Sequence, residues 1–383
     1  MKKFDLSIYK SSQPYFDLLD TYIKEQGIRK EAFLLEVGVT PSSYRKCRKG
    51  ELNIGFEIVE KISNHFSLKV PDDIFLDKLE KFINKIYKDI YYKNFKSYKQ
   101  DLEFIDELLN ENYVIFPLFK LLKIFMIAAS NDDIFKIQKN NKELYEEVSK
   151  YELFFNHGLY ELFEMVYLVF TDSISSNDWI KNYKNGMAYF VLATRSYLGF
   201  RYIETLFYGE KCKKLLNDDG NINRLFYLNN TLMSSLMFVE NYEECYELAS
   251  NQLASLESID YKESFHFNNC RKYRIVSMLG IREYKKIRDE YIDNNDMTLT
   301  EIICLLTAIY SLNKNDKENK FKEYDKYYEE LEVDTLPLEY SEPIKLVDQM
   351  LKGKIKVKNS IMSLRKYEIM PHFEKIFQNI VLG

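Results

Sequence analysis

Apolar side chains recur at three- and four-residue intervals along most of this chain, the spacing that puts them on one face of an α-helix. After a polar lead-in over residues 4–13, Pro14 opens a first helix with Phe16, Leu19, Tyr22 and Ile23 on one face, ending near Gly27. Phe33, Leu34 and Val37 predict a second over 30–37, and a third starts at Pro41 after the turn Gly38-Val39. Ile58, Val59, Ile62 and Phe66 predict a fourth over about 56–66. Pro71 then breaks the chain, and Asp72 or Asp73 caps a long helix to about residue 95. Its stripe of Phe75, Leu79, Phe82, Ile86 and Ile90 suits either packing on its own chain or pairing with a second copy.

The rest of the chain reads as a train of helix pairs. Residues 102–109, 116–129, 134–145 and 151–170 look like diverged hairpins. Downstream, Tyr202, Tyr242, Tyr284 and Tyr324 each fall at the start of every second helix, spaced 40, 42 and 40 residues apart. A fixed period of this size predicts stacked hairpins, because one hairpin cannot cover its own apolar face. Pro337 and Pro343 interrupt the train, and 344–351, 361–364 and 373–382 read as capping helices. Composition agrees: Gly (12) and Pro (7) are scarce in 383 residues, so long helices are favoured over strands and turns. The expected fold class is all-α, a small helix-turn-helix domain (1–70) and a linker helix (71–96) followed by an α-solenoid of hairpins (97–335) and C-terminal capping helices (336–383).

The densest chemistry lies between Gly38 and Gly50. Thr40 is a good N-cap, Pro41 suits the first helical position, and Gly50 supplies a left-handed stop. Between them stand Arg45, Lys46, Arg48 and Lys49 without one acid, a charge density that suits a phosphate surface. Arg45 and Lys46 are placed to reach base edges, with Ser42, Ser43 and Lys49 near phosphates or bases. The plainer alternative is a solvated basic helix. Charge is unevenly divided: residues 1–70 carry 12 Lys and Arg against 9 Asp and Glu, while the whole chain is at −5. A basic head on an acidic body is what a DNA reader with a separate sensing body would show.

Other functional classes find less support. The five cysteines (Cys47, Cys212, Cys245, Cys270, Cys304) are odd in number and never form a Cys-x-x-Cys pair, against both a disulfide framework and a zinc site. Four histidines (His65, His157, His266, His372) show no metal-type spacing, and there is no Gly-rich phosphate loop or nucleophile elbow. The chain reads as neither an enzyme nor the holder of a cofactor or metal. No apolar stretch reaches the roughly 18 residues of a membrane span, and no apolar run follows Met1-Lys2-Lys3, so no membrane partner and a cytoplasmic location are expected.

From Gly38 to Gly50 the order of residue types resembles the phage-repressor-like helix-turn-helix family. Gly38 and Val39 stand at the turn, Thr40 at the cap, Tyr44 at the packing position and Gly50 after the helix. The resemblance implies that Pro41, Ser42, Ser43, Arg45 and Lys46 face the groove, and with Thr40 and Lys49 they make up the candidate DNA-binding set. Tyr44 is larger than the family's usual Ile or Val, and Arg48 stands where Glu is common. The stretch from Tyr227 through Ala249 resembles a degenerate tetratricopeptide repeat (TPR), without its Trp, Gly and Pro signposts.

Together these features resemble peptide-responsive transcriptional regulators of Gram-positive bacteria and their phages, the quorum-sensing receptors. The resemblance implies double-stranded DNA and a short signalling peptide as partners, and a homodimer gripping two half-sites. It also implies a peptide held in the concave groove by asparagine amides and by a cation for its carboxylate. The groove candidates are Arg195, Tyr227, Asn229, Asn230, Phe267, Asn268, Asn269 and Arg271, on first helices of consecutive hairpins. The alternative is a protein-binding scaffold without sequence-specific DNA binding.

Overall fold

The computed structural model describes residues 3–130, 134–170, 185–294, 296–316, 319–367 and 371–382. Among them every regular element is helical, and the nearest approach to a sheet is an isolated bridge between Lys69 and Tyr113. No helix among the described residues is long and apolar enough to cross a membrane. Two compact units emerge, one of residues 1–195 with 211–224 and one of residues 196–210 with 225–383.

In the first unit, α1 (Gln13–Glu25), α2 (Lys30–Glu36), α3 (Pro41–Arg48) and α4 (Gly55–His65) enclose Phe16, Leu19, Phe33, Tyr44, Val59 and Ile62. They do not form an isolated head. The segment read as a polar lead-in buries Phe4, Leu6 and Tyr9, and Ser7–Lys10 is a 3-10 turn. The Phe4 backbone is held from both sides: its N–H donates to Asn84 Oδ1 at 2.7 Å, and Asn84 Nδ2 donates to the Phe4 carbonyl at 2.8 Å. Asn84 lies on α5 (Asp73–Tyr91), which Asp72 caps through the Phe75 amide at 2.7 Å. Leu76, Leu79, Ile83, Ile86, Tyr87 and Ile90 of α5 are buried within its own unit. Phe75 and Phe82 of the predicted stripe lie at its margin, stacked on Tyr113 and edge-on to Phe104. The chain before α5 is tied down as well, since Lys69 N–H donates to the Asn112 carbonyl and Val114 N–H to the Lys69 carbonyl, both at 2.9 Å.

The second unit contains successive hairpins. Tyr242–Ser258 packs on Phe265–Gly280, which packs on Leu299–Asn313, which in turn packs on Leu338–Leu351. Three turns share one construction. Phe200, Glu240 and Arg282 adopt left-handed φ values of 57°, 62° and 64°. The next amide in each case, of Arg201, Asn241 and Glu283, donates at 2.9 Å to a carbonyl five residues earlier. This closes the preceding helix in a Schellman motif without glycine. One residue later stands the recurring tyrosine, and its ring meets the end of the next hairpin's first helix. Tyr202 stacks on Phe238 at 4.2 Å, and a Cβ on Gly280 would come within 2.6 Å of the Tyr242 ring. The 40-residue period is thus a packing period.

Candidate functional site

The caps expected of α3 are present. Thr40 Oγ1 accepts from the Ser43 amide at 3.1 Å, and Pro41 takes the first helical position. Gly38 and Gly50 sit at φ 71° and 73°. Ser42, Arg45, Lys46 and Lys49 are exposed, and their i, i+3, i+4, i+7 spacing places them on one face. Thr40 is exposed beside them, whereas Pro41 and Ser43 are half-buried. Arg45, Lys46 and Lys49 enter no ion pair among the described residues.

The opposite face of α3 is anchored, and there the two departures from the repressor-like pattern explain each other. Tyr44 is 1% exposed, edge-on to Phe16 at 4.9 Å, and its hydroxyl donates to Asp20 Oδ1 at 2.5 Å. Lys30 lies 4.4 Å above the same ring. Arg48 donates from Nη2 to Asp17 Oδ1 at 2.6 Å and from Nη1 to Asp20 Oδ2 at 2.8 Å. A phenol and a guanidinium therefore meet an acidic pair on α1, where an aliphatic residue and Glu would supply neither donor. Burial, then the Asp20 carboxylate, pushes the Tyr44 phenol far above its usual range, so it stays a donor. Cys47 is buried and its thiol is pushed up by burial. The result is one face fastened to α1 and one face with three cations outside any ion pair among the described residues.

The groove candidates fall in both units. Arg195 is half-buried in the first. In the second, Tyr227, Asn229 and Asn230 lie on Ile222–Phe238, and Phe267, Asn268, Asn269 and Arg271 lie on Phe265–Gly280. Asn229 and Phe267 are buried, Asn268 is exposed, and Tyr227, Asn230 and Asn269 are intermediate. Asn229 Oδ1 and Asn230 Oδ1 are buried without a hydrogen-bond partner among the described residues. Arg271 is engaged by its own chain: Nε donates to Glu301 Oε1 at 2.9 Å and Nη2 to Glu301 Oε2 at 2.8 Å, with Glu301 fully buried. That fork holds a neighbouring hairpin and does not stand open for a peptide carboxylate.

Several residues beside these candidates escaped notice in the sequence. His266 is buried, with Nδ1 2.8 Å from Asn230 Nδ2 and its ring edge-on to Tyr227 at 4.4 Å. Tyr197 Oη lies 2.9 Å from Ser234 Oγ, one helical turn along from Asn230. Gln252 is 3% exposed, and its amide atoms have no hydrogen-bond partner within ordinary distance among the described residues. A spacing search for metal ligands passes over His266, because its partners are an amide and a phenol ring on another helix. No group of His, Cys, Asp and Glu able to hold a metal ion occurs among the described residues. No family model matches the chain, and no curated protein or solved structure matches it.

Proposed function

We propose that this chain is a DNA-binding transcriptional regulator, acting as a homodimer through a repressor-like helix-turn-helix at α2–α3. Its operator binding is controlled by a short peptide held along TPR-like hairpins of the second unit. The observation that carries the DNA reading is the division of α3, with Tyr44, Cys47 and Arg48 fastened behind and Ser42, Arg45, Lys46 and Lys49 exposed in front. Such a face offers Arg45 for bidentate contact with guanine and lysines for phosphates. The peptide reading is supported by the amide oxygens of Asn229 and Asn230, which have no hydrogen-bond partner among the described residues and are acceptors of the kind an extended backbone meets with its N–H groups.

Fluorescence anisotropy on DNA flanking the gene tests the first half. Wild-type binding should weaken steeply with salt. Arg45→Ala/Lys46→Ala should weaken specific binding by roughly a hundredfold or more and lower the salt slope. Equal affinity for unrelated DNA, or indifference to the double substitution, would remove the reading. One observation favours a scaffold instead: Phe200, Ile203 and Phe207 are 77%, 70% and 56% exposed around the start of Tyr202–Asp218. A scaffold would keep its protein partner in the Arg45→Ala/Lys46→Ala variant and show no DNA discrimination.

A further inference from the structure

Helix α1 lies against α3 on one side and against later helices of the first unit on another, and one of its carboxylates touches both. Asp17 Oδ1 accepts from Arg48 Nη2 at 2.6 Å, and Asp17 Oδ2 lies 2.7 Å from His157 Nε2. His157 follows the short helix Glu152–Phe155, whose Phe154 carbonyl accepts from the Tyr9 hydroxyl at 3.1 Å. Lys150, just before that helix, is ion-paired with Glu25 at the far end of α1. Tyr22 of α1 meets Phe116 edge-on, and Phe116 meets Tyr151 in the same way. The polar contacts behind α3 also end on α1, at Asp17 and Asp20.

We propose that Asp17 is a positioning residue that couples the segment 150–158 to the pose of α3. The two oxygens of one carboxylate serve two partners, so a shift of His157 turns the carboxylate that aligns the Arg48 fork. A guanidinium bridging two carboxylates is directional, so a rotation of one of them moves the fork that Arg48 makes from α3. Displacement of the 150–158 segment by a ligand or partner would then alter how Ser42, Arg45, Lys46 and Lys49 are presented. That consequence for DNA rests on the function proposed above, whereas the coupling itself does not.

Hydrogen exchange localised by mass spectrometry tests it in the full chain with His157→Phe, Asp17→Asn, the double variant and His157→Gln. Amides of α3 should exchange about tenfold faster in the first two, because local opening becomes easier. The double variant should be no faster than Asp17→Asn alone, since both act through one carboxylate. His157→Gln, which keeps a donor, should stay near wild type, and helix Leu299–Asn313 of the second unit should be unchanged in all. If His157→Phe fails to fold, His157→Ala, which also lacks the donor, takes its place with the same expected tenfold effect. Unaltered α3 exchange in His157→Phe, or effects that multiply in the double, would overturn the coupling whatever happens with DNA. Faster α3 exchange in a chain whose wild type does not discriminate DNA would uphold the coupling and overturn the proposed function instead.

Discussion

Tyr44 is the residue on which α3 turns. Its ring is closed in by Phe16 and Lys30, and its hydroxyl is one of three donors on Asp20, the others being Arg48 and Lys30. Replacing it with Phe keeps the ring and deletes one hydrogen bond to a carboxylate, so the folded state should lose about 1–2 kcal/mol. Urea unfolding of Tyr44→Phe measures this directly. Equal stability would mean that Arg48 and Lys30 satisfy Asp20 unaided. The same variant should bind DNA more weakly than its stability loss explains if α3 must be held at a fixed angle. None of this is visible along the chain, because Tyr44 and Asp20 are 24 residues apart and Arg48 and Asp17 are 31 apart.

Among the helices, the recurring tyrosine and the turn before it are the working unit. Gly280 ends the first helix of its hairpin where the Tyr242 ring lies, and a Cβ there would stand 2.6–2.9 Å from three ring carbons. Gly280→Ala should therefore destabilise the second unit by about 1–3 kcal/mol, although alanine is the better helix former. A urea midpoint that rises in this variant would show that the ring moves aside freely. The tyrosine period and most helices were legible, since both follow from apolar spacing. Helix ends were less so: Phe200, Glu240, Asp260 and Arg282 take left-handed turns that glycine usually marks. The packing of the lead-in left no signal, because Phe4, Leu6 and Tyr9 bury themselves without helical spacing. Of the candidate site, the exposed face of α3 was legible from cap and charge. The partners of Arg271 and Arg48 were not, because contacts across distant helices leave no local signal.

Over the molecule as a whole, several buried ionisable side chains among the described residues are ion-paired, because an isolated buried charge is too costly to keep. In the second unit Glu301 meets Arg271 at 2.8 Å, Asp348 meets Lys352 at 2.8 Å and Glu374 meets Arg365 at 2.8 Å. His372 follows the other course. It is 9% exposed with its ring edge-on to Phe238 at 4.2 Å, and burial alone lowers its pKa from 6.5 to about 4. The unfolded chain therefore binds this proton at a higher pH than the folded one. Its contribution to stability is complete above about pH 6.5 and is lost as pH falls towards 4, amounting to roughly 3 kcal/mol at most. His372→Phe removes that titration while filling the same space. Wild type and variant should thus differ in unfolding free energy by an amount that moves steadily in the variant's favour between pH 7 and pH 4. A difference that stays constant over that range would mean that His372 charges freely in the folded chain, and that Phe238 and its neighbours open to water around it.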